Sequence, residues 1–340
     1  MAVLLDCPLP IVGAPMAGGP TTVALAAAVA AAGGFPFLAG GYKTPEALAA
    51  EIEQLRALDV PFGVNLFVPS RHPTDTAAFG AYAAELAPEA EAYGLRLDPV
   101  PVVDDDHWAE KLRMLGRDPV PVVSLTFGLP ERGDVEALRG AGVSVAATVT
   151  SPPEAVEARA LGVDGLVVQG SDAGGHSAIF DPTRDPEPVD TAELVRAVAA
   201  AVAGLPLIAA GGVDGPEAVR ALRDAGAQAV AVGTLLLRTD EAGTSEPHRA
   251  APVDPSFDRT VVTRAFTGRP ARALRNGFVD RHGRSAPTAY PAVHHLTRAL
   301  RQAASKAGDT DRMHLWAGTG HRLARTGPAA DVVRGLAARW

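Results

Sequence analysis

Eight short apolar runs recur along residues 1–240, and a run with helical character follows each of them. "PIVGAP" precedes "TTVALAAAVAAAGG". "FPFLAGG" precedes "TPEALAAEIEQLRAL", in which Thr44 caps, Pro45 takes the first helical position and Glu46 opens the first turn. "PFGVNLFVP" is the third run, "VPVVSLTFG" the fourth, "VSVAATVTS" the fifth, "GLVVQGSDAGGH" the sixth, "LPLIAAGGV" the seventh and "QAVAVGTLLL" the eighth. Runs that are apolar throughout, rather than alternating, suit parallel strands covered on both faces. Strand–helix alternation repeated eight times predicts an α/β chain folded as a (β/α)8 TIM barrel. The rival is a doubly wound open sheet. No strand-linked G-x-G-x-x-G with a downstream acid is present, which counts against it.

Two segments exceed the barrel pattern. Residues 68–118 form a polar, proline-rich excursion between the third and fourth strands, with acidic stretches such as "VVDDDHWAEKL". Residues 241–312 follow the eighth strand, include a helix expected at 291–307, and read as a lid or small, largely helical domain over the barrel. Residues 313–340 end in "GPAADVVRGLAARW", a helix expected to return to the barrel wall.

Composition excludes several roles. The single Cys7 rules out an intramolecular disulfide framework and a cysteine zinc site, and no metal is expected. The net charge of −8, with no lysine or arginine block, argues against nucleic acid as the main partner. Prolines, glycines and charges interrupt every apolar run before it reaches membrane-spanning length. "MAVLLDCPLP" lacks the basic start and long apolar core of a signal peptide, so a cytoplasmic location is the expectation. A homodimer is left open.

Catalytic residues of a barrel sit where strands end and loops begin. The strand exits carry Ala14, Pro15 and Met16; Asn65; Gln169, Gly174, Gly175 and His176; Gly211 and Gly212; and Gly233 and Thr234. Glycine turns after the seventh and eighth strands present bare backbone N–H groups at helix starts, the usual phosphate site of this fold. The alternative is that Gly211 and Gly212 only make a tight turn. Asn65 and Gln169 each donate and accept, which suits the edge of a flat heterocycle such as a flavin, with Met16 and the Ala14–Pro15 backbone along one face. The alternative is that both amides tie down neighbouring loops. Gly174 and Gly175 are expected to let the backbone pass close to a bound ring, and His176 to move a proton above it. The alternative is a histidine bonded to a loop carbonyl. In "AYPAVHHLTRALRQAA", Tyr290, His294 and Arg298 fall four apart and share a face suited to a small anion, unless that face is merely solvated.

These stretches resemble one family. "PIVGAPMAGGPT", "PFGVNLFVP", "QGSDAGGH", "AAGGV" and "AVGT" are similar, in order, to the nitronate monooxygenases, formerly called 2-nitropropane dioxygenases, and "LWAGTGHRLAR" resembles their bacterial members that act on propionate 3-nitronate. The resemblance runs from Pro10 to about Ala338. It implies an FMN cofactor held by the Ala14–Met16 backbone, Asn65, Gln169, Gly174, Gly212 and the stretch Ala231, Val232, Gly233 and Thr234. It implies that His176 is the active-site histidine. The implied reaction is oxidation of alkyl nitronates by O2 to a carbonyl compound and nitrite, without need of a nicotinamide. Asp172 stands where many members carry Glu. The nearest alternative is a related flavin barrel, the NADH-dependent enoyl-acyl carrier protein reductase.

Overall fold

A computed structural model describes residues 4–340. The barrel strands are β1 (Ile11–Gly13), β2 (Phe35–Ala39), β3 (Gly63–Phe67), β4 (Val122–Thr126), β5 (Ser144–Val149) and β6 (Gly165–Gln169). A two-residue strand, β7 (Gly175–His176), interrupts the series before β8 (Leu207–Ala210) and β9 (Ala229–Val232) complete it. The closed order is β1-β2-β3-β4-β5-β6-β8-β9, every pairing is parallel, and β9 returns to β1 through Ile11 opposite Val230. The expected (β/α)8 barrel is therefore present, with its eight strands in the eight apolar runs.

Local chemistry sets the flanking helices. Thr22 caps Val23–Ala31 by accepting from Leu25 N at 2.9 Å, and Thr44 caps Pro45–Arg56 by accepting from Ala47 N at 3.2 Å. Val12, Phe35, Phe37, Val122, Ala146, Ile208 and Ala229 fill the barrel interior, which is packed rather than porous. The C-terminal helix Ala329–Ala337 lies between the helices Val23–Ala31 and Pro216–Asp224, burying Val333 and Leu336 on the barrel wall.

A second hydrophobic core lies over the barrel. Phe79, Tyr82 and Leu86 of the excursion helix Thr76–Glu91 pack against Phe266, Phe278, Val293, Leu296 and Leu300 of the segment after the barrel. An ion cluster joins the same two segments. Glu89 contacts Arg281 at 2.6 Å, Arg312 at 2.5 Å and His282 at 3.0 Å. Burial raises its pKa, but the hydrogen bonds from these three side chains outweigh that and hold it at about 2. The expected helix is present at Ala292–Ala307. The segment is nevertheless not simply helical: β10 (Thr260–Thr263) and β11 (Ala271–Leu274) form an antiparallel hairpin, and β11 pairs in turn with β7. Thus the Gly175–His176 stretch is stitched into the layer above the barrel rather than hanging as a free loop. No described helix is long and apolar enough to cross a membrane.

Candidate active site

The strand exits converge on one cavity of about 620 Å³ at the top of the barrel. Ala14, Pro15, Met16, Asn65, Gln169, Gly174 and His176 line it, as do Gly211, Gly212, Ala231, Val232, Gly233, Thr234, His294 and Arg298. Tyr290 stands just behind the wall, with its ring 5.7 Å from that of His176.

Each exit is held by its own loop. Ala14 N donates to Val232 O at 3.0 Å, and Met16 N donates to Thr21 Oγ1 at 2.8 Å, so the Ala14–Met16 backbone is pinned across the β1–β9 seam. The buried Asn65 donates from Nδ2 to Ser124 Oγ and to Thr126 Oγ1, both at 2.9 Å. Its Oδ1 receives no hydrogen bond from the described residues and remains available as an acceptor. Gln169 is used differently. Its Nε2 donates to His176 O at 3.1 Å, and its Oε1 accepts from Ala178 N at 2.7 Å. Both ends of this amide tie down the loop that carries His176.

The glycine turns leave backbone donors unused. The N–H groups of Gly212, Val213, Gly233 and Thr234 donate to no group among the described residues, and all four residues line the cavity. Gly212 has a φ of +70°, which turns the chain so that successive amides face one side. Such a concave set of N–H groups attracts an anion.

Gly174 lines the cavity and is also constrained by the chain itself. A Cβ there would lie 2.5 Å from Gly318 N and 2.6 Å from Ala317 C. The glycine admits the crossing segment Trp316–Gly318. Gly175 has open space around it and a φ of +77°, so its requirement is conformational.

His176 is enclosed by aromatic rings. Phe127 lies 5.4 Å away and Trp316 5.5 Å away by centroid. His176 Nε2 is 2.9 Å from Thr267 Oγ1, and its Nδ1 has no partner among the described residues. Burial first, and the positive charges of Arg269 and Arg301 second, push the imidazole pKa down to about 3, so the ring is neutral at physiological pH. Arg269 is buried over the Phe127 ring at 4.2 Å, with Nε donating to Ser177 O at 3.1 Å.

The sequence profile "Nitronate monooxygenase" matches residues 4–338. The chain belongs to the nitronate monooxygenase family. It is an oxidoreductase of that flavin-dependent kind. A probable nitronate monooxygenase of Staphylococcus aureus (strain N315) is 34% identical over 338 residues, which are 98% of this chain and 94% of the relative. The crystal structure of a nitroalkane oxidase from Streptomyces ansochromogenes superposes with a TM-score of 0.94 at 48% identity, covering 98% of this chain and 96% of that one. FabK from Thermotoga maritima is more distant, with a TM-score of 0.76 at 26% identity over 99% of this chain and 94% of that one.

Several residues of this oxidoreductase's cavity were not singled out from the sequence. Thr267 is buried and bonds the His176 imidazole, but a lone threonine in "RAFTGRPARA" carries no signal of its own. The buried His248 and the half-buried His314 also line the cavity, His248 lowered to about 4 and His314 lowered well below the ordinary range, each first by desolvation of its imidazole. His314 Nδ1 and Thr244 Oγ1 are buried cavity atoms with no partner among the described residues. On the helix Ala292–Ala307, Arg301 is buried whereas the expected Arg298 is exposed at the mouth. His294 stacks on Tyr42 at 4.0 Å and 5°, and burial, followed by the Arg301 charge, drives its pKa far down, so it too is neutral.

Proposed function

We propose that this enzyme binds FMN and oxidises alkyl nitronates with O2 to a carbonyl compound and nitrite. The observation that carries this reading is the pairing, in one cavity, of an unused set of backbone donors with a neutral imidazole. The N–H groups of Gly212, Val213, Gly233 and Thr234 would hold the cofactor phosphate, with Gly211, Ala231 and Val232 shaping the turns around it. The Ala14, Pro15 and Met16 backbone and Asn65 Oδ1 would meet the ring, while Gln169 and Gly174 support it through the loops they fix. When bound, FMN supplies the electron acceptor and the place where O2 is reduced.

The chain's own residues do the rest. His176 holds a free lone pair at Nδ1 if Thr267 Oγ1 accepts from Nε2–H, an assignment supported by the Thr267 hydroxyl pointing also at Arg269 O, 3.5 Å away. With a neutral nitroalkane that nitrogen takes the α-proton. With a nitronate, which has already lost it, the imidazole orients the anion. Tyr290, His294 and Arg298 belong to the substrate side, and the aromatic wall of Phe127, Trp316 and Tyr290 keeps water from the imidazole.

The test is the visible spectrum of the purified protein before and after anaerobic addition of propionate 3-nitronate, with acid release and mass determination of the cofactor. A yellow protein that releases FMN and bleaches with the nitronate is expected. A colourless protein or released FAD would overturn the cofactor assignment. Bleaching by NADH and not by the nitronate would replace this reading with the reductase one.

A further inference from the structure

Arg301 is a cation without a counter-ion. It is 6% exposed, and no carboxylate among the described residues lies within ion-pair distance of it. Its Nε donates to Thr297 Oγ1 at 3.0 Å, and its Nη2 donates to His294 O at 3.0 Å and stands 3.2 Å from His294 Nδ1. Nη1 donates to no described residue, and the side chain lines the cavity. Burial presses its pKa down to about 10, the mark of a guanidinium short of compensation. A buried cation is costly unless an anion meets it. Arg298, three residues earlier on the same face, also lines the cavity and forms no ion pair among the described residues. The sole cavity-lining carboxylate among the described residues is Asp172, which sits beside Gly212 at the glycine turns and not at this helix.

The position relative to His176 sets the kind of anion. The Tyr290 ring lies 5.7 Å from that of His176 and 6.5 Å from that of His294, and Arg301 Nη2 stands 3.2 Å from His294 Nδ1. Arg301 shares no hydrogen bond with His176, yet its charge is felt at that imidazole, so an anion on Nη1 would sit at the same end of the cavity as His176 without bonding to it. A second charge on the same short carbon chain as the nitronate suits that position, leaving the nitronate end to the imidazole. The phosphate already has its own donors at the glycine turns, so the group at Arg301 belongs to the substrate.

We infer that Arg301 is the specificity-determining residue that binds a carboxylate carried on the carbon chain of the nitronate, an inference that rests on the nitronate reading above. A planar guanidinium with a free amino nitrogen suits a carboxylate better than a lysine would. Thr297 and His294 hold the fork in place, and Tyr42, stacked under His294, keeps that imidazole from turning away.

The test compares propionate 3-nitronate with propyl-1-nitronate, which has the same three-carbon chain and no carboxylate. Arg301→Gln is expected to lower kcat/KM for the carboxylated substrate on the order of 10²-fold, mainly through KM, and to leave the propyl substrate little changed. Arg301→Lys is expected to restore part of the loss. Equal losses on both substrates, or no loss on either, would overturn the assignment. Should the glutamine variant not fold, calorimetry on the unaltered enzyme decides: propionate is expected to bind at least tenfold more tightly than propionamide, and equal binding overturns the inference. Arg301-dependent propionate binding in a protein that turns over neither nitronate upholds Arg301 as the carboxylate site and defeats the proposed reaction instead.

Discussion

Replacing Gly174 by alanine adds one methyl group at a place where two backbone segments touch. The new carbon would stand 2.5 Å from Gly318 N, 2.6 Å from Ala317 C and 2.9 Å from Ala317 Cα. These are backbone atoms, so no rotamer change relieves the clash. The crossing segment is itself boxed in: a Cβ on Gly318 would meet Asp172 O at 2.6 Å, and Gly318 N is bonded to Thr234 Oγ1 at 2.9 Å. Segment 316–318 must therefore move by several tenths of an ångström. Overpacking of this kind costs about 1–3 kcal/mol. The lost flexibility of the unfolded chain returns about 0.4–1 kcal/mol. A net destabilisation of up to about 2.6 kcal/mol follows.

The displacement reaches the site at two points. It pulls on Thr234, one of the unused donors of the glycine turns, and on Trp316, whose ring lies 5.5 Å from His176. Gly174→Ala is therefore expected to melt a few degrees lower and to bind FMN about tenfold more weakly, the latter corresponding to about 1.4 kcal/mol. Gly175→Ala is the control. Its φ of +77° imposes strain of about 1–2 kcal/mol, but its Cβ meets nothing within 4 Å. It should lose stability and keep its cofactor affinity. Thermal melts and FMN titration of the two apoproteins read both quantities. A Gly174→Ala protein with unaltered FMN affinity would refute the reasoning, because the methyl group would then have been absorbed without moving the crossing segment.

Three further outcomes follow from the same site. His176→Asn should abolish turnover of neutral nitroalkanes by about 10²- to 10⁴-fold, reduce nitronate turnover less, and leave FMN content nearly unchanged, as measured by paired kinetics and flavin content on one preparation. Gly212→Val, a β-branched residue forced to a φ of +70°, should disturb the unused N–H groups and yield a protein with little bound FMN; a folded, fully yellow protein would contradict the phosphate assignment. His176 and His248 have folded pKa values of about 3 and about 4, below the ordinary 6.5, so the unfolded chain takes up protons first as pH falls. Their stabilising contribution is complete above 6.5 and is lost on acidification toward 3; by pH 5 the loss is up to about 2 kcal/mol for each, and urea midpoints at pH 7 and pH 5 should differ in that direction.

The barrel was legible because its signals are local. Each apolar run of about five residues and each Thr-Pro or glycine boundary acts within its own βα unit, and eight such units close in only a few ways. The glycine turns after β8 and β9 were legible for the same reason. The hairpin β10–β11 was not. Each of its strands has four residues, and the partner of β11 is a two-residue strand nearly a hundred positions earlier. Nothing in "TVVT" or "ARAL" announces that pairing. Thr267 and Arg269 become site residues only through it, since it is the β7–β11 pairing that brings them beside His176.

Asn65 and Gln169 show where spacing stops informing. Both are amides at strand ends, yet one keeps a free acceptor and the other spends both ends on the loop 176–178, because only Gln169 has that loop folded back across it. The helix Ala292–Ala307 shows a case where spacing held more than a four-residue repeat takes from it. At about 100° per residue, Arg298 lies about 40° past His294 after one turn, whereas Arg301 lies about 20° short of His294 after two. Arg301 is thus nearer the centre of the cavity-facing stripe, and it is buried where Arg298 is exposed. A four-residue repeat reaches the edge of a helix face and a seven-residue step returns to its middle, so the arginine seven residues after a cavity-facing imidazole is the one the fold encloses.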